Sequence, residues 1–308
     1  MMMKQSWEVA VTGEKLGSYL RGKLGLSLRE IKRILEENHL KRNGKVERYA
    51  STVLKKGDHL ALAAIQKAPS TQVLFEDDYL LLINKPKGVI SEAKNFPKYH
   101  LVHRLDKDTS GVMILAKDAS VKDKMMDLFR NRGVEKEYFV IVDGIVSGES
   151  GVIKSRIAKQ KNMVFGSAQE GAFAETHWRV LGRGKDSTLI LAEPKTGRTH
   201  QIRIHFKEKG HPVLGDFHYA REFRCDAYAQ RTMLHSRKVS FMHPITNEQV
   251  EIKAPLFPDF QRILSYLNLP SFCGSSGLAS KQKGSKPGQM RRSTGRRAQR
   301  TPAKRSFR

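Results

Sequence analysis

Cysteine is scarce in this chain: only Cys225 and Cys273 occur among 308 residues. Because they lie far apart in the sequence, neither a disulfide framework nor a zinc cluster is supported, and a reducing cytoplasm fits best. Long apolar runs are absent as well. No segment approaches the roughly 20 apolar residues that a membrane-spanning helix needs, and residues 1–7 lack the apolar stretch of a signal peptide.

Several motifs that bind nucleotides or metals are also missing. The chain contains no Gly-x-x-x-x-Gly-Lys-Ser/Thr phosphate loop, no His-Glu-x-x-His zinc motif and no zinc-deaminase pattern. His200, His205 and His211 lie close together in sequence, but they have neither nearby cysteines nor a clear ligand spacing. The sequence therefore predicts no metal site and no cofactor.

Acidic residues are few relative to basic ones. The chain has 56 Lys and Arg against 31 Asp and Glu, a formal net charge of +25. This charge favours a polyanionic partner through attraction and counterion release, and we prefer nucleic acid over the alternative, an anionic membrane. Residues 281–308 carry 11 Lys and Arg and no acid. We predict a disordered basic tail over 271–308.

Residues 13–65 form a first candidate domain, with helices predicted over 15–24 and 27–38 and extended segments near Val46 and Val53. Ser27 can cap the second helix. Apolar side chains of this helix fall on one face and basic side chains project elsewhere: the apolar set is Leu28, Ile31, Ile34 and Leu35, and the basic set is Arg29, Lys32 and Arg33. The basic set predicts phosphate contact, with a solvated helix face as the alternative.

Residues 71–269 form a second candidate domain, which follows a linker at 66–70. Strand-like and helix-like patterns alternate along it. The predicted strands are 73–76, 79–84, 112–116, 137–142, 188–193 and 239–242, and the clearest helix covers 120–132. Gly133 is placed to end that helix.

The densest group of polar residues is His-Arg-Leu-Asp-Lys-Asp-Thr-Ser-Gly at 103–111, directly before the apolar segment 112–116. Loops held by rigid strands often carry functional residues. The turn-forming residues at 109–111 can hold the Asp106 carboxylate at a fixed angle. Taken alone, a charged loop of this kind is usually solvated surface.

A second group is Lys-Thr-Gly-Arg-Thr-His-Gln-Ile-Arg-Ile-His at 195–205. It predicts a turn followed by a helix that is capped by Thr199 and ends near Gly210. The alternation of its isoleucines would also permit a strand. In either case Arg198 and Arg203 lie near one turn.

Three segments of the first domain resemble the S4 RNA-binding domain: Ser-Leu-Arg-Glu-Ile-Lys-Arg-Ile-Leu at 27–35, Lys-Arg-Asn-Gly-Lys at 41–45 and Leu-Lys-Lys-Gly-Asp at 54–58. The resemblance implies a small α/β domain in which two helices and a loop hold the phosphate backbone of folded RNA. The chain departs from the family in having Leu28 and Arg29 where a serine-arginine pair is common.

The strings at 103–111 and 195–205 resemble signature segments of the RluA-type pseudouridine synthases. The resemblance covers about 73–253 and implies an α+β fold with a mixed, mainly antiparallel sheet and a central cleft. It also implies that Asp106 is catalytic, that Arg203 pairs with its carboxylate, and that Tyr138 stacks on a flipped uracil. A tyrosine simply packed in the core is the alternative for Tyr138.

The same resemblance implies substrate contacts from four further residues. Arg104 would occupy the space left by the flipped nucleotide, and His103, Arg198 and His200 would line the substrate site. The implied substrate is structured RNA, with ribosomal RNA favoured and transfer RNA possible. We expect a monomer without an obligate protein partner, and a reaction without a cofactor.

Two other functions remain open from the sequence. A ribosome-assembly factor or RNA chaperone would bind RNA through 13–65 and the tail without catalysis, although the presence of both Asp106 and Arg203 argues against it. An RNA glycosidase would release uracil and leave abasic RNA, whereas an isomerase leaves the RNA mass unchanged.

Overall fold

A computed structural model describes residues 3–64, 69–160 and 164–272. The first part is an N-terminal unit with a four-stranded sheet in the order β1-β4-β2-β3. Its elements are β1 (Met3–Glu8), α1 (Leu16–Leu24), α2 (Leu28–Glu36), β2 (Leu40–Arg42), β3 (Lys45–Val46) and β4 (His59–Ala63). Strand β1 pairs with β4 and so belongs to this unit, although the sequence pattern placed the start of the domain at residue 13.

Helix α2 follows its predicted pattern closely. Ser27 forms a capping box with Glu30: the Ser27 Oγ accepts from the Glu30 N–H, and the Glu30 carboxylate accepts from the Ser27 N–H at 2.9 Å. Ile31 and the apolar residues on the same face are buried against α1 and the sheet. Leu28 was expected on that face but is 42% exposed; it stands in the first helical position, and its Cδ1 lies next to Gly17. The basic set Arg29, Lys32 and Arg33 is exposed.

The rest of the described chain is built on one long sheet. Its strands are β5 (Gln72–Glu76), β6 (Leu80–Lys85), β7 (His100–Leu101), β8 (Ser110–Ala116), β9 (Val134–Asp143), β10 (Ser150–Lys159), β11 (Phe165–Ser167), β12 (Ala172–Arg183), β13 (Ser187–Pro194), β14 (Leu234–Met242) and β15 (Gln249–Lys253). Their order is β11-β10-β12-β13-β9-β14-β8-β6-β5, with β15 beside β14 and β7 beside β8. Among the described strands, every neighbouring pair is antiparallel except β8 and β14. This confirms the α+β class and the mixed, mainly antiparallel sheet.

In the described part of the chain, three helices cover this sheet: α3 (Ala119–Arg130), α4 (Gln201–Glu208) and α5 (Pro258–Tyr266), with a 3-10 turn at Ala93–Asn95. Side chains alternate between the two faces of a strand, and β9 shows how the faces divide. Val140 faces the cluster that contains Phe206 of α4, whereas Ile141 faces the cluster that contains Phe260 of α5. Central strands are thus buried on both sides, and the α4 side carries the candidate site.

Two predicted helix ends differ in detail. Helix α3 ends at Arg130, and the residue that follows it in the left-handed backbone conformation is Arg132 and not Gly133. The Gly133 N–H instead bonds to the Leu128 carbonyl oxygen, which completes a Schellman ending. Segment 201–208 is a helix and not a strand. Its N-cap is His200, with a φ of 57°, so the predicted cap at Thr199 was wrong by one residue.

The parallel pairing of β8 with β14 requires a glycine near the start of β8. Gly111 has a φ of 113°, and a Cβ there would lie 2.1 Å from the Ser236 carbonyl oxygen. Only a residue without a side chain permits this close approach. Beside it, the Ser110 hydroxyl lies 2.9 Å from the His235 Nδ1. These contacts fix the end of the loop that carries Asp106.

Some predictions fall outside the described residues. The predicted linker at 66–70 is described only at its last two residues, and most of the predicted tail, with Cys273, lies beyond residue 272. Cys225 is a buried free thiol. Within the described part of the chain, no helix is long and apolar enough to cross a membrane.

Candidate active site

Asp106 lies in the loop between β7 and β8, and its side chain is 27% exposed. The Ser91 hydroxyl donates to the Leu105 carbonyl oxygen at 2.8 Å and accepts from the Leu105 N–H at 3.1 Å. The Thr109 N–H bonds to the Asp106 carbonyl oxygen at 3.1 Å. The backbone on both sides of Asp106 is therefore held, as the turn formers predicted.

His103 anchors the same loop. Its Nε2 accepts the Ile114 N–H at 2.9 Å, and its ring lies against Phe129 with centroids 4.9 Å apart. Burial, with the charge of Lys136, lowers the pKa of His103 to about 3, so the ring is neutral near neutral pH. His103 thus lines the cavity and also binds the backbone of β8 through one ring nitrogen, which helps to hold the loop in place.

The turn before α4 is fixed by Gln201. Its Oε1 accepts from the Thr196 hydroxyl at 2.6 Å and from the Arg198 N–H at 3.0 Å. Its Nε2 donates to the Glu175 carbonyl oxygen and to the Thr176 hydroxyl, each at 2.9 Å. Because both the oxygen and the nitrogen of this buried amide are hydrogen-bonded, Gln201 holds the turn in one geometry.

Arg203 projects from α4 and joins two carboxylates. Its Nη1 donates to Asp106 Oδ2 at 2.9 Å, while Nε and Nη2 donate to the two oxygens of Asp216 at 2.6 and 2.8 Å. Burial disfavours the charge of Arg203, but the hydrogen bonds and charges of Asp216 and Asp106 outweigh it and raise the pKa of Arg203. The planar guanidinium fits such a two-sided arrangement, and a lysine would not.

His200 lies on the other side of the Asp106 carboxylate. Its Nε2 is 3.8 Å from Asp106 Oδ2, and its Nδ1 is 2.8 Å from the Tyr219 hydroxyl. Burial lowers the pKa of His200 to about 4, against the opposing effect of Asp106. The ring of Tyr219 also lies under the Arg203 guanidinium, 5.1 Å away. A neutral His200 therefore presents a polar ring edge to Asp106 without neutralising it.

These groups open into a cavity of about 570 Å³. Among its described lining residues Asp106 is the only carboxylate, whereas seven are basic: Arg104, Arg130, Arg132, Lys136, Lys195, Arg198 and Arg203. Tyr138 forms part of the wall, and burial, with the charge of Asp106, raises its pKa to about 12. Burial and the nearby Lys195 lower the pKa of Lys136 to about 8. A wide cavity with a basic rim and a single acid suits a polyanion with one reacting position.

Seven of the predicted site residues line this cavity: Asp106, Arg203, Tyr138, Arg104, His103, Arg198 and His200. Arg104 is exposed and also borders a smaller cavity of about 210 Å³ beyond Asp106. The other three, Arg29, Lys32 and Arg33, lie on α2 of the N-terminal unit and are not among the residues that line either cavity.

Sequence reasoning missed Asp216 and Tyr219. Both come from the segment between α4 and β14, which has no apolar periodicity and no signature string. The sequence around Asp216 does not reveal that its side chain is buried, because the fold and not the local sequence brings Arg203 next to it. The one indication was chemical: a buried arginine requires a carboxylate partner.

Comparison with known proteins gives one consistent answer. The family model for RNA pseudouridylate synthase matches residues 79–208. Ribosomal large subunit pseudouridine synthase C of Vibrio parahaemolyticus is 31% identical over 294 residues, which cover 82% of this chain and 93% of that protein. The protein of the same name from Buchnera aphidicola is 34% identical, covering 64% of this chain and 70% of that one.

A solved structure agrees with the fold. Human RNA Pseudouridylate Synthase Domain Containing 4 superposes with a TM-score of 0.55 at 25% identity, covering 65% of this chain and 94% of that chain. This chain belongs to the RNA pseudouridylate synthase family, a family of isomerases that act on RNA.

Proposed function

We propose that this chain converts uridines of large-subunit ribosomal RNA to pseudouridine, with Asp106 as the catalytic carboxylate. The observation that carries the proposal is the Arg203 guanidinium, 2.9 Å from Asp106 at the centre of a basic cavity. The choice of RNA follows the names of the relatives, which act on the large ribosomal subunit. Transfer RNA is the alternative substrate.

The reaction breaks the bond between ribose C1′ and uracil N1, turns the detached base within the cavity, and joins C1′ to C5. The hydrogen on C5 leaves as a proton and N1 gains one, so the RNA keeps its mass and no outside group is consumed. Asp106 adds to C1′ or removes the proton from C2′. Both routes require a carboxylate held in a defined orientation, and the Arg203 Nη1 donates to Asp106 Oδ2 at 2.9 Å.

The other cavity residues hold the substrate in this proposal. The Tyr138 ring stacks on the uracil, since a base taken out of its helix needs an aromatic or apolar surface. Arg104, at the exposed edge, fills the space that the nucleotide leaves. Arg198 and its basic neighbours face phosphates, and His200 and His103 keep the walls in place.

The N-terminal unit is proposed to act as an S4-like RNA-binding domain. Its exposed basic set, Arg29, Lys32 and Arg33, lies opposite the buried apolar face of α2 and is free to contact phosphates. The basic residues of 281–308 add nonspecific affinity. The protein acts as a monomer in the cytoplasm, without an obligate protein partner and without a cofactor.

Tritium release tests this function. Ribosomal RNA labelled with tritium at uridine C5 is incubated with the wild-type protein, with Asp106→Asn, and with Asp78→Asn as a control at an exposed aspartate outside the cavity. Wild type and Asp78→Asn should release tritium, and Asp106→Asn should lose at least about a thousandfold in rate. Undiminished release by Asp106→Asn would refute the catalytic role.

The products separate the alternative functions. Free uracil and abasic RNA would identify a glycosidase. Tight RNA binding without tritium release from ribosomal or transfer RNA would favour an assembly factor. Unchanged RNA mass together with release identifies the isomerase.

A further inference from the structure

The loop 216–229 supplies Asp216 and Tyr219 to the active site, and it leaves the body of the protein through a narrow base. Gly215, on one side of the base, has a φ of 75°, and a Cβ there would lie 2.1 Å from the Arg231 carbonyl oxygen on the other side. The two ends of the loop are therefore in direct backbone contact. Whatever holds these ends sets the position of Asp216.

Asn38 of the N-terminal unit reaches both ends. Its Nδ2 is 3.4 Å from the Gly215 carbonyl oxygen and 3.4 Å from the Gln230 carbonyl oxygen. The side chain is almost fully buried, and its residue has a left-handed backbone with a φ of 57° at the end of α2. The Tyr228 hydroxyl in turn donates to the Asn38 carbonyl oxygen.

His39 adds a second buried contact at the same place. Its Nδ1 lies 2.8 Å from the Gln230 Nε2, and both side chains are buried. Buried polar contacts of this kind favour one geometry, because breaking them leaves a buried donor without a partner. The N-terminal unit is thus fastened to the base of the active-site loop, and not only tethered by the chain.

We propose that Asn38 is a positioning residue for catalysis: it closes the base of the loop 216–229 and thereby holds Asp216, which holds Arg203, which holds Asp106. This inference rests on the proposed function of Asp106. It gives the N-terminal unit a role in the chemical step in addition to its role in RNA binding. Each link is a direct contact, from Gly215 next to Asp216 through the Arg203 guanidinium to the carboxylate.

Kinetics distinguish this role from RNA binding. Loss of a phosphate contact such as Arg29 weakens RNA binding and raises KM. Loss of the contact at Asn38 leaves the RNA contacts intact but misplaces Asp106, so kcat falls. Small misplacements of catalytic groups have large effects on rate.

Asn38→Gly is the sharpest variant, because glycine keeps the left-handed backbone and removes only the side chain. Asn247→Gly is the matched control, since Asn247 is also left-handed, with a φ of 54°, but is exposed in the β14–β15 turn. We expect kcat of Asn38→Gly to fall about tenfold with KM for RNA unchanged within about twofold. Asn247→Gly should resemble wild type. A rise in KM alone, or unchanged kinetics, would overturn the proposal.

Hydrogen exchange gives a readout that does not depend on activity. In Asn38→Gly the amides of the loop, such as Tyr219, which bonds to the Asp216 carbonyl oxygen, should exchange faster, while those of β9 stay protected. Tyr228→Phe, a milder change, should show the same pattern to a smaller degree and guards against a failure of Asn38→Gly to fold. If both variants leave loop exchange unchanged, the proposal is wrong even if the synthase activity is present. An inactive wild type would instead refute the proposed function.

Discussion

Asp216→Asn should destabilise the protein more than Asp106→Asn, although only Asp106 is proposed to react. Asp216 is 1% exposed and uses both carboxylate oxygens to bind Arg203, at 2.6 and 2.8 Å. Asp106 accepts a single bond from Arg203, at 2.9 Å, and is about a quarter exposed. Removing the charge of Asp216 therefore leaves a buried guanidinium without its main partner.

The structure sets the size of the difference. Breaking a buried ion pair costs roughly 3–5 kcal/mol, and an asparagine keeps one acceptor, so we expect about 3 kcal/mol for Asp216→Asn. The partly solvated Asp106 should contribute about 1 kcal/mol. For a domain of about 200 residues, about 3 kcal/mol lowers the Tm by roughly 6–12 °C.

Tryptophan fluorescence during urea unfolding measures this difference. The chain has two tryptophans, Trp7 in the N-terminal unit and Trp178 in the buried cluster next to α4. In a Trp7→Phe background the signal reports the catalytic body alone. Asp78→Asn serves as the control for loss of an exposed carboxylate. The reasoning fails if Asp106→Asn proves as destabilising as Asp216→Asn, or if Asp216→Asn matches the control.

Two further predictions concern buried rings. Burial and the charge of Arg231 lower the pKa of His235 from 6.5 to about 3. As the pH falls below 6.5, the unfolded chain binds a proton that the folded chain does not, so the free energy of unfolding decreases by up to about 1.4 kcal/mol per pH unit. In His235→Gln the free energy of unfolding, measured by urea titration between pH 6.5 and 4, should fall less steeply by this amount. Equal slopes for the variant and the wild type would contradict the prediction. For Tyr138, phenylalanine should preserve RNA affinity whereas alanine should lose about 1–3 kcal/mol; fluorescence anisotropy with labelled RNA checks this, and equal affinities would exclude stacking.

The sequence predicted the parts of the fold that have a local signal. Helix α2 was located by its apolar face and its cap at Ser27, and strand β8 by the continuous apolar run at 112–116. The strings around Asp106 and Arg203 located two walls of the cavity, because both residues lie in compact segments next to regular elements. Strand β1 was missed, since six residues with mixed polarity become a strand only by pairing with β4.

What could not be predicted depends on contacts between distant segments. Gln201 was read as part of a string, but its role in fixing the turn requires Glu175 and Thr176, which β12 brings beside it. The buried contacts of Asn38 with Gly215 and Gln230, at the base of the loop 216–229, join residues that are 177 and 192 positions apart. No periodicity or spacing encodes such pairs, because the sheet order decides which segments meet.

The missed residue Asp216 changes how the charges of the site are understood. Arg203 and Asp106 alone would form a neutral pair, and a carboxylate fully neutralised by a guanidinium is a weaker nucleophile and base. Because Asp216 binds Arg203 through two of its three guanidinium nitrogens, the guanidinium charge is already balanced before Asp106 is counted. Arg203 can therefore orient Asp106 while the group of three keeps one net negative charge, placed on the carboxylate that faces the cavity. In the proposed reaction the basic rim attracts phosphate, and Asp106 keeps its charge at the centre.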